Sequence, residues 1–312
     1  MSDPLVWLPF DPSHLEAAVG ELPRGLRFEV VDPTAHVPDS VEDVRFYVAP
    51  YQMGPAVGDV LPRMSSLEVV QVLSAGVDNV RDRVPDGVLL CNGRGIHDTS
   101  TAELTLALVL ASLRDVPGMV RDQDARRWNT RWRPALADKR VLLVGYGAIG
   151  RAIEQRLLPF ETEVVRVART ARQEETGPVH GFDELPTLLP EADVVVLICP
   201  LTDETRGLVD AAFLARMKDG ALLVNMARGA VVETDALLAE LRSERLTAAV
   251  DVVDTEPLPA DHPFWAHPKI NITPHAASLT VQETAAVAIA DNIRRIRAGE
   301  PPAPIVDPET GY

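Results

Sequence analysis

The stretch VLLVGYGAIG, Val141 to Gly150, constrains this chain more than any other. Four apolar residues run into glycines at 145, 147 and 150, the G-x-G-x-x-G spacing. The first glycine permits a tight turn, the second lets backbone approach a pyrophosphate, and the third lets helix and strand pack closely. The pattern predicts a strand over 141–144, a helix over 149–158 ending near Pro159, and a second strand over 164–168. The start of such a helix offers unpaired N–H groups and the positive end of its dipole to phosphates. A tight strand–helix turn with no ligand would need the same glycines. The clean strand before and the helix and strand after favour the dinucleotide reading.

The second strand carries a departure. An acid about 20 residues past the turn ordinarily accepts bonds from the ribose hydroxyls of the dinucleotide. Here the place is Ala168, within VVRVARTAR, Val164 to Arg172, which holds arginines at 166, 169 and 172 and no acid. Ala168 removes the repulsion a 2′-phosphate would meet. Arg169, with Thr170 and Arg172, supplies charge-assisted donors for one. NADP(H) is therefore the expected cofactor. If these arginines are merely solvated, NAD(H) serves as well. Arg166 lies inside the strand, and the sequence assigns it no role.

Downstream the alternation continues. ADVVVLICP (192–200), GALLVNMA (220–227), TAAVDVV (247–253) and INIT (270–273) read as strands, with helices over 203–217 and 234–244. That order predicts a parallel, doubly wound sheet. Upstream, short strands at 28–31, 45–49, 67–74 and 88–92 describe a smaller α/β unit, with connectors at 59–64 and 79–83. Residues 100–115 form a helix in which Ser100 and Glu103 fit a capping box. Its several apolar faces suit a place between two domains. A last helix, 280–299, precedes a Pro-rich, extended tail.

The 312 residues suffice for one large or two ordinary domains, and the 46% hydrophobic content lets a full core be built. A net charge of −16 argues against a nucleic-acid or anionic-membrane partner. Cys91 and Cys199 have apolar neighbours and no metal-type spacing, which fits a reducing, cytoplasmic setting. The opening residues lack the pattern of a signal peptide, and no apolar run approaches a membrane span.

Three polar residues follow strands, where ligands of open α/β sheets sit. They are Arg228, Glu256 and His275. A histidine paired with a carboxylate makes a general acid–base. An arginine clamps a substrate carboxylate and polarises a neighbouring carbonyl. Each has an ordinary alternative as a surface arginine, a loop acid and a half-buried histidine. Their joint placement favours a site. Histidines 14, 36, 97, 180, 262 and 267 read as surface or packing residues.

LSAGVDNV, GYGAIG, CPLTDETRGLVD, MKDGALLVNMARGAVVETDAL, AAVDVVDTEPLPADHPFW and NITPHAA together resemble the D-isomer-specific 2-hydroxyacid dehydrogenases. The resemblance runs from about Leu67 to Ala277. It implies two Rossmann-like or flavodoxin-like α/β domains. Residues 1–98 with 281–312 would form the catalytic domain, and 99–280 an inserted nucleotide-binding domain. It implies a homodimer built on the nucleotide-binding domains. His275 looks like the proton donor, Glu256 like its partner and Arg228 like the substrate-orienting group. Ala75, Gly76 and Val77 look like a carboxylate cradle, and Trp265, with Tyr51 and Met53, like side-chain selectors. The cofactor would lie against Gly145, Tyr146, Gly147, Ala148, Ile149 and Gly150. It would also meet Ala168, Arg169, Thr170, Arg172, Cys199, Pro200, Thr205, Met226, Ala227, Asp251 and His275, with Asp251 on the nicotinamide amide. Leu104 and His97 stand where many members carry histidine and asparagine. The implied activity is reduction of a small 2-oxoacid, glyoxylate or hydroxypyruvate first. The alternatives are a dinucleotide-sensing corepressor or scaffold, and a short-form phosphoglycerate dehydrogenase.

Overall fold

The computed structural model describes residues 3–51, 56–278 and 282–307. It contains two compact units, Met1–His97 with Leu279–Tyr312, and Asp98–Ser278.

The first unit begins with β1 (Leu5–Leu8), α1 (Ser13–Val19), β2 (Arg27–Val30), β3 (Val44–Val48), α2 (Ala56–Asp59), β4 (Val69–Gln71) and β5 (Leu89–Cys91). Its five strands form one parallel sheet in the order β2-β1-β3-β4-β5. The sequence reading passed over β1. LVWL is only four residues long and buried on both faces, so it has no alternation to read.

The second unit opens with α3 (Asp98–Arg114) and α4 (Val116–Asp124). Then come β6 (Arg140–Val144), α5 (Ala148–Leu157), β7 (Glu163–Val167), β8 (Arg172–Glu174), β9 (Gly177–His180) and α6 (Leu185–Leu188). The unit closes with β10 (Val194–Leu197), α7 (Ala211–Arg216), β11 (Leu222–Asn225), α8 (Thr234–Arg242), β12 (Thr247–Val250) and β13 (Ile270–Ile272). The sheet order is β13-β12-β11-β10-β6-β7-β9-β8, parallel throughout except for the β8–β9 pair. Central β10 and β11 are buried at every position because helices cover both faces. Strand order reverses between β6 and β10, the switch point at which ligands of such sheets bind.

Several elements differ from the sequence reading. α3 begins at Asp98, so Ser100 lies inside the first turn, and its hydroxyl meets that of Ser278 at 2.9 Å instead of capping. The helix expected over 203–217 shrinks to α7, capped by Asp210, whose carboxylate accepts the Phe213 N–H at 2.7 Å. Upstream of it Thr205 donates its hydroxyl to the Pro200 carbonyl at 2.6 Å, and Gly207 turns the chain at φ 65°. The β8–β9 hairpin was not anticipated.

The chain then returns to the first unit in α9 (Gln282–Arg297). Ala285, Ala286, Ile289, Ala290 and Ile293 pack with Val6, Leu8, Phe46 and Val48. Asn292 donates to Gln71 at 2.5 Å and accepts the Ala303 N–H at 2.7 Å, tying β4, α9 and the tail together. The tail runs extended beside β5 through Ile305 and Val306. No helix among the described residues is long and apolar enough to cross a membrane.

Candidate active site

Arg228, Glu256 and His275 follow β11, β12 and β13, which are neighbours in the sheet. Their loops touch. A side chain on Gly229 would meet the backbone of Val253 at 2.0 Å, so glycine lets the Arg228 loop press against the Glu256 loop. Glu256 turns back on its own loop, its Oε1 accepting the Val253 N–H at 3.1 Å. Its Oε2 lies 2.8 Å from His275 Nδ1. A carboxylate there fixes the tautomer with the proton on Nδ1, leaving Nε2 to exchange a proton with a substrate. Both side chains are more than a third exposed, as groups meeting a ligand must be.

The loops are held by buried polar side chains. Asn225 donates to the Arg228 carbonyl at 3.0 Å and accepts the Ala227 N–H at 3.0 Å. Asp251 accepts the Thr273 hydroxyl at 2.5 Å and the N–H groups of Ala276 and Ala277 at 2.9 and 3.0 Å. Its carbonyl accepts the His275 N–H at 2.7 Å. His275 takes a φ of 51°, a left-handed conformation few non-glycine residues adopt, and this cage holds it there. A carboxylate offers about four acceptor positions, so Asp251 keeps one beyond the three it uses.

The glycine turn fits a dinucleotide for a reason specific to each glycine. A Cβ on Gly145 would lie 2.5 Å from Cys199 N, and one on Gly150 would lie 2.5 Å from the Gly145 carbonyl. Protein packing excludes side chains at both. A Cβ on Gly147 would meet nothing within 4 Å. The fold makes no demand for glycine there, whereas a pyrophosphate against the first turn of α5 does.

In the first unit, Ala75, Gly76 and Val77 lie on the loop leaving β4. Ser74 donates its hydroxyl to the Gly76 carbonyl at 2.6 Å, and Asn92 donates to that of Ala75 at 3.2 Å. Among the described residues the three N–H groups meet no acceptor.

Residues 106–277 match the family described as D-isomer specific 2-hydroxyacid dehydrogenase, NAD binding domain. The chain belongs to the D-isomer-specific 2-hydroxyacid dehydrogenases. It is 33% identical over 279 residues to the glyoxylate/hydroxypyruvate reductase A of Photorhabdus laumondii, spanning 85% of this chain and 86% of that one. A family member from Xanthobacter autotrophicus, solved with NADPH and MES, aligns along the whole of both chains with a TM-score of 0.86 at 35% identity. An NADPH-dependent glyoxylate/hydroxypyruvate reductase from Sinorhizobium meliloti, solved with NADP and sulfate, aligns over 99% of each chain with a TM-score of 0.85 at 27% identity.

Not every sequence candidate of this dehydrogenase presents its side chain. Tyr146, Cys199, Met226 and Ala227 are buried, so contact with a cofactor would pass through their backbone. Thr205 is buried too, its hydroxyl spent on the Pro200 carbonyl and on the Thr202 N–H. It shapes the loop after β10. Ala148, Ile149, Ala168 and Pro200 are half-buried, and Arg169 and Thr170 are exposed at the end of β7. Arg172 sits on β8 and returns to the glycine turn, donating to the Tyr146 carbonyl at 2.9 Å. Trp265 is half-exposed, its indole N–H on the Pro259 carbonyl at 2.8 Å. Tyr51 lies in the first unit with its ring 5.1 Å from that of buried His97, whose pKa burial lowers. Met53 lies outside the described residues.

Arg166, which the sequence left without a role, forks onto buried Glu154, with its Nε 3.0 Å from Oε2. Glu154 also accepts the Tyr146 hydroxyl. Asn225, Gly229, Glu154, Arg151 and Glu174 escaped sequence reasoning. Gly229, Glu154, Arg151 and Glu174 act through residues distant in the chain, whereas Asn225 holds Ala227 and Arg228 close by, and only a folded loop shows what it does there.

Proposed function

We propose that this dehydrogenase reduces small 2-oxoacids, glyoxylate and hydroxypyruvate first, to D-2-hydroxyacids with NADPH, and accepts NADH less well. The carrying observation is the 2.8 Å contact between His275 Nδ1 and Glu256 beside the Arg228 loop, in a unit that also holds the open glycine turn. The names of the relatives support the substrate class, and Ala168 with its arginines supports the phosphorylated cofactor. When bound, the dihydronicotinamide supplies hydride to C2 of the oxoacid. Arg228 binds the substrate carboxylate and polarises the oxo group. In the first unit, the N–H groups of Ala75, Gly76 and Val77 are suited to a carboxylate. His275 Nε2 gives its proton to the oxygen as the hydroxyl forms, and Glu256 holds the ring in place through Nδ1.

The test is initial rates of glyoxylate and hydroxypyruvate reduction with NADPH and NADH, for the wild type and His275→Ala. The variant is expected to lose roughly 10²–10⁴-fold in kcat with cofactor affinity intact, the usual range for one acid–base group. Near-normal turnover in the variant would remove His275 from the acid's role. A preference for NADH in the wild type would remove the phosphate reading of Arg169.

The active form is a homodimer in the cytoplasm. Its support is the segment after α4. Asp115 and Asp122 pair with Arg127, Arg131 and Arg133 and hold that segment in place. It nonetheless leaves Trp128 99% and Trp132 91% exposed. Two large apolar rings on an ordered segment mark a surface that a second copy would bury.

A further inference from the structure

Glu174 is an acid at the place where the cofactor reading wants positive charge. Its carboxylate accepts both terminal nitrogens of Arg151, one at 2.7 Å on Oε1 and the other on Oε2. Oε1 also accepts Arg172 Nε at 2.8 Å. Arg172 continues to the Tyr146 carbonyl inside the glycine turn, and the Arg151 guanidinium stands 4.8 Å above the centre of the Tyr146 ring. Two guanidiniums from different elements, α5 and β8, thus converge on one acid beside the turn. Without it they would repel each other. In return, Arg151 foremost and then Arg172 hold the Glu174 carboxyl down at about 2, so it stays ionised across the working range.

The geometry points to Glu174 as a specificity-determining positioning residue: it joins Arg151 and Arg172 into one fixed pair beside the glycine turn, and that pair, with Arg169 and Thr170, receives the 2′-phosphate of a phosphorylated dinucleotide. The inference rests on the NADP(H) reading above and adds Arg151 to the groups that select the cofactor. Three arginines and one glutamate leave a net +2 against a phosphate of about −2. Both Glu174 oxygens serve guanidinium donors, Oε1 those of Arg151 and Arg172 and Oε2 that of Arg151, so the acid binds the two arginines to each other. Arg172 Nη1 keeps no bond among the described residues and remains for the phosphate. An arginine captured from solvent gives up its rotamer freedom on binding, and one already held does not.

The experiment compares wild type, Glu174→Gln, Glu174→Ala and Arg151→Ala. Readouts are KM for NADPH and NADH, kcat with each, and inhibition constants for adenosine 2′,5′-bisphosphate and 5′-AMP. The expected result is a rise of about tenfold in KM for NADPH and in the bisphosphate constant, the loss of one charge-assisted bond. The constants for NADH and 5′-AMP rise less, so the preference for NADPH over NADH and for the bisphosphate over 5′-AMP falls by severalfold. Should Glu174→Ala fail to fold, Glu174→Gln carries the test, because it keeps the shape and one acceptor. Unchanged or tighter NADPH and bisphosphate binding in the variants would overturn the role of Glu174. A wild type that binds 5′-AMP as tightly as the bisphosphate would instead overturn the NADP(H) reading beneath it.

Discussion

Asp251 is bound from three sides by the loop it carries. Thr273 and the N–H groups of Ala276 and Ala277 close on its carboxylate, while its carbonyl takes the N–H of His275. A buried carboxylate with such donors contributes through each of them, and hydrogen bonds to charged groups contribute about 1.5–3 kcal/mol. Asp251→Ala is therefore expected to lower stability by about 2–3 kcal/mol and kcat by tenfold or more, because His275 would leave its left-handed conformation. Thermal melts and kcat measured together check this. Asp251→Asn keeps one acceptor and should recover part of both. An Asp251→Ala protein with normal kcat would mean that the His275 loop needs no such support.

The glycine turn separates what packing requires from what a ligand requires. Gly147→Ala is expected to fold with a melting temperature near that of the wild type, since the added methyl meets open space. Its affinity for either cofactor should nevertheless fall sharply. Gly145→Ala should instead destabilise the unit, because φ is 111° and the methyl would drive into Cys199 and Ile198. Calorimetry and cofactor titration on the two variants distinguish the cases. A Gly147→Ala protein with undiminished cofactor binding would remove the pyrophosphate from this turn. The strand–turn–helix element was legible because strand, glycines and helix are contiguous. So were Arg228, Glu256 and His275, because parallel strands deliver their successors to one edge. Gly229 was not, since its need for glycine comes from Val253, 24 residues away. Nor was the β8–β9 hairpin, whose short polar strands hold Gly177 and Pro178 and carry no alternation to read. The purpose of Arg166 was hidden for the same reason as that of Gly229: its acid, Glu154, lies on α5.

At the scale of the whole molecule, a chain carrying a net charge of −16 leaves two tryptophans in water on a stretch rich in arginine. Trp128→Ser with Trp132→Ser is expected to turn a dimer into a monomer in sedimentation, with each protomer still folded. A double variant that sediments as the wild type does would move the interface elsewhere. The sequence suggested a dimer only through family resemblance, because exposure cannot be read from a tryptophan in a polar loop.

The sheet order has a consequence for how such a protein changes over time. Groups suited to the chemistry follow β11 to β13, and groups suited to choosing the cofactor follow β7 and sit on β8. Four strand steps lie between β7 and β12, roughly 19 Å at the usual inter-strand spacing. Mutations in the hairpin can therefore redirect the enzyme from one cellular pool of reducing equivalents to another while the proton-transfer machinery stays untouched. Substrate preference and metabolic allegiance become separately heritable traits, and the short polar hairpin at the sheet's edge is where the second would drift first.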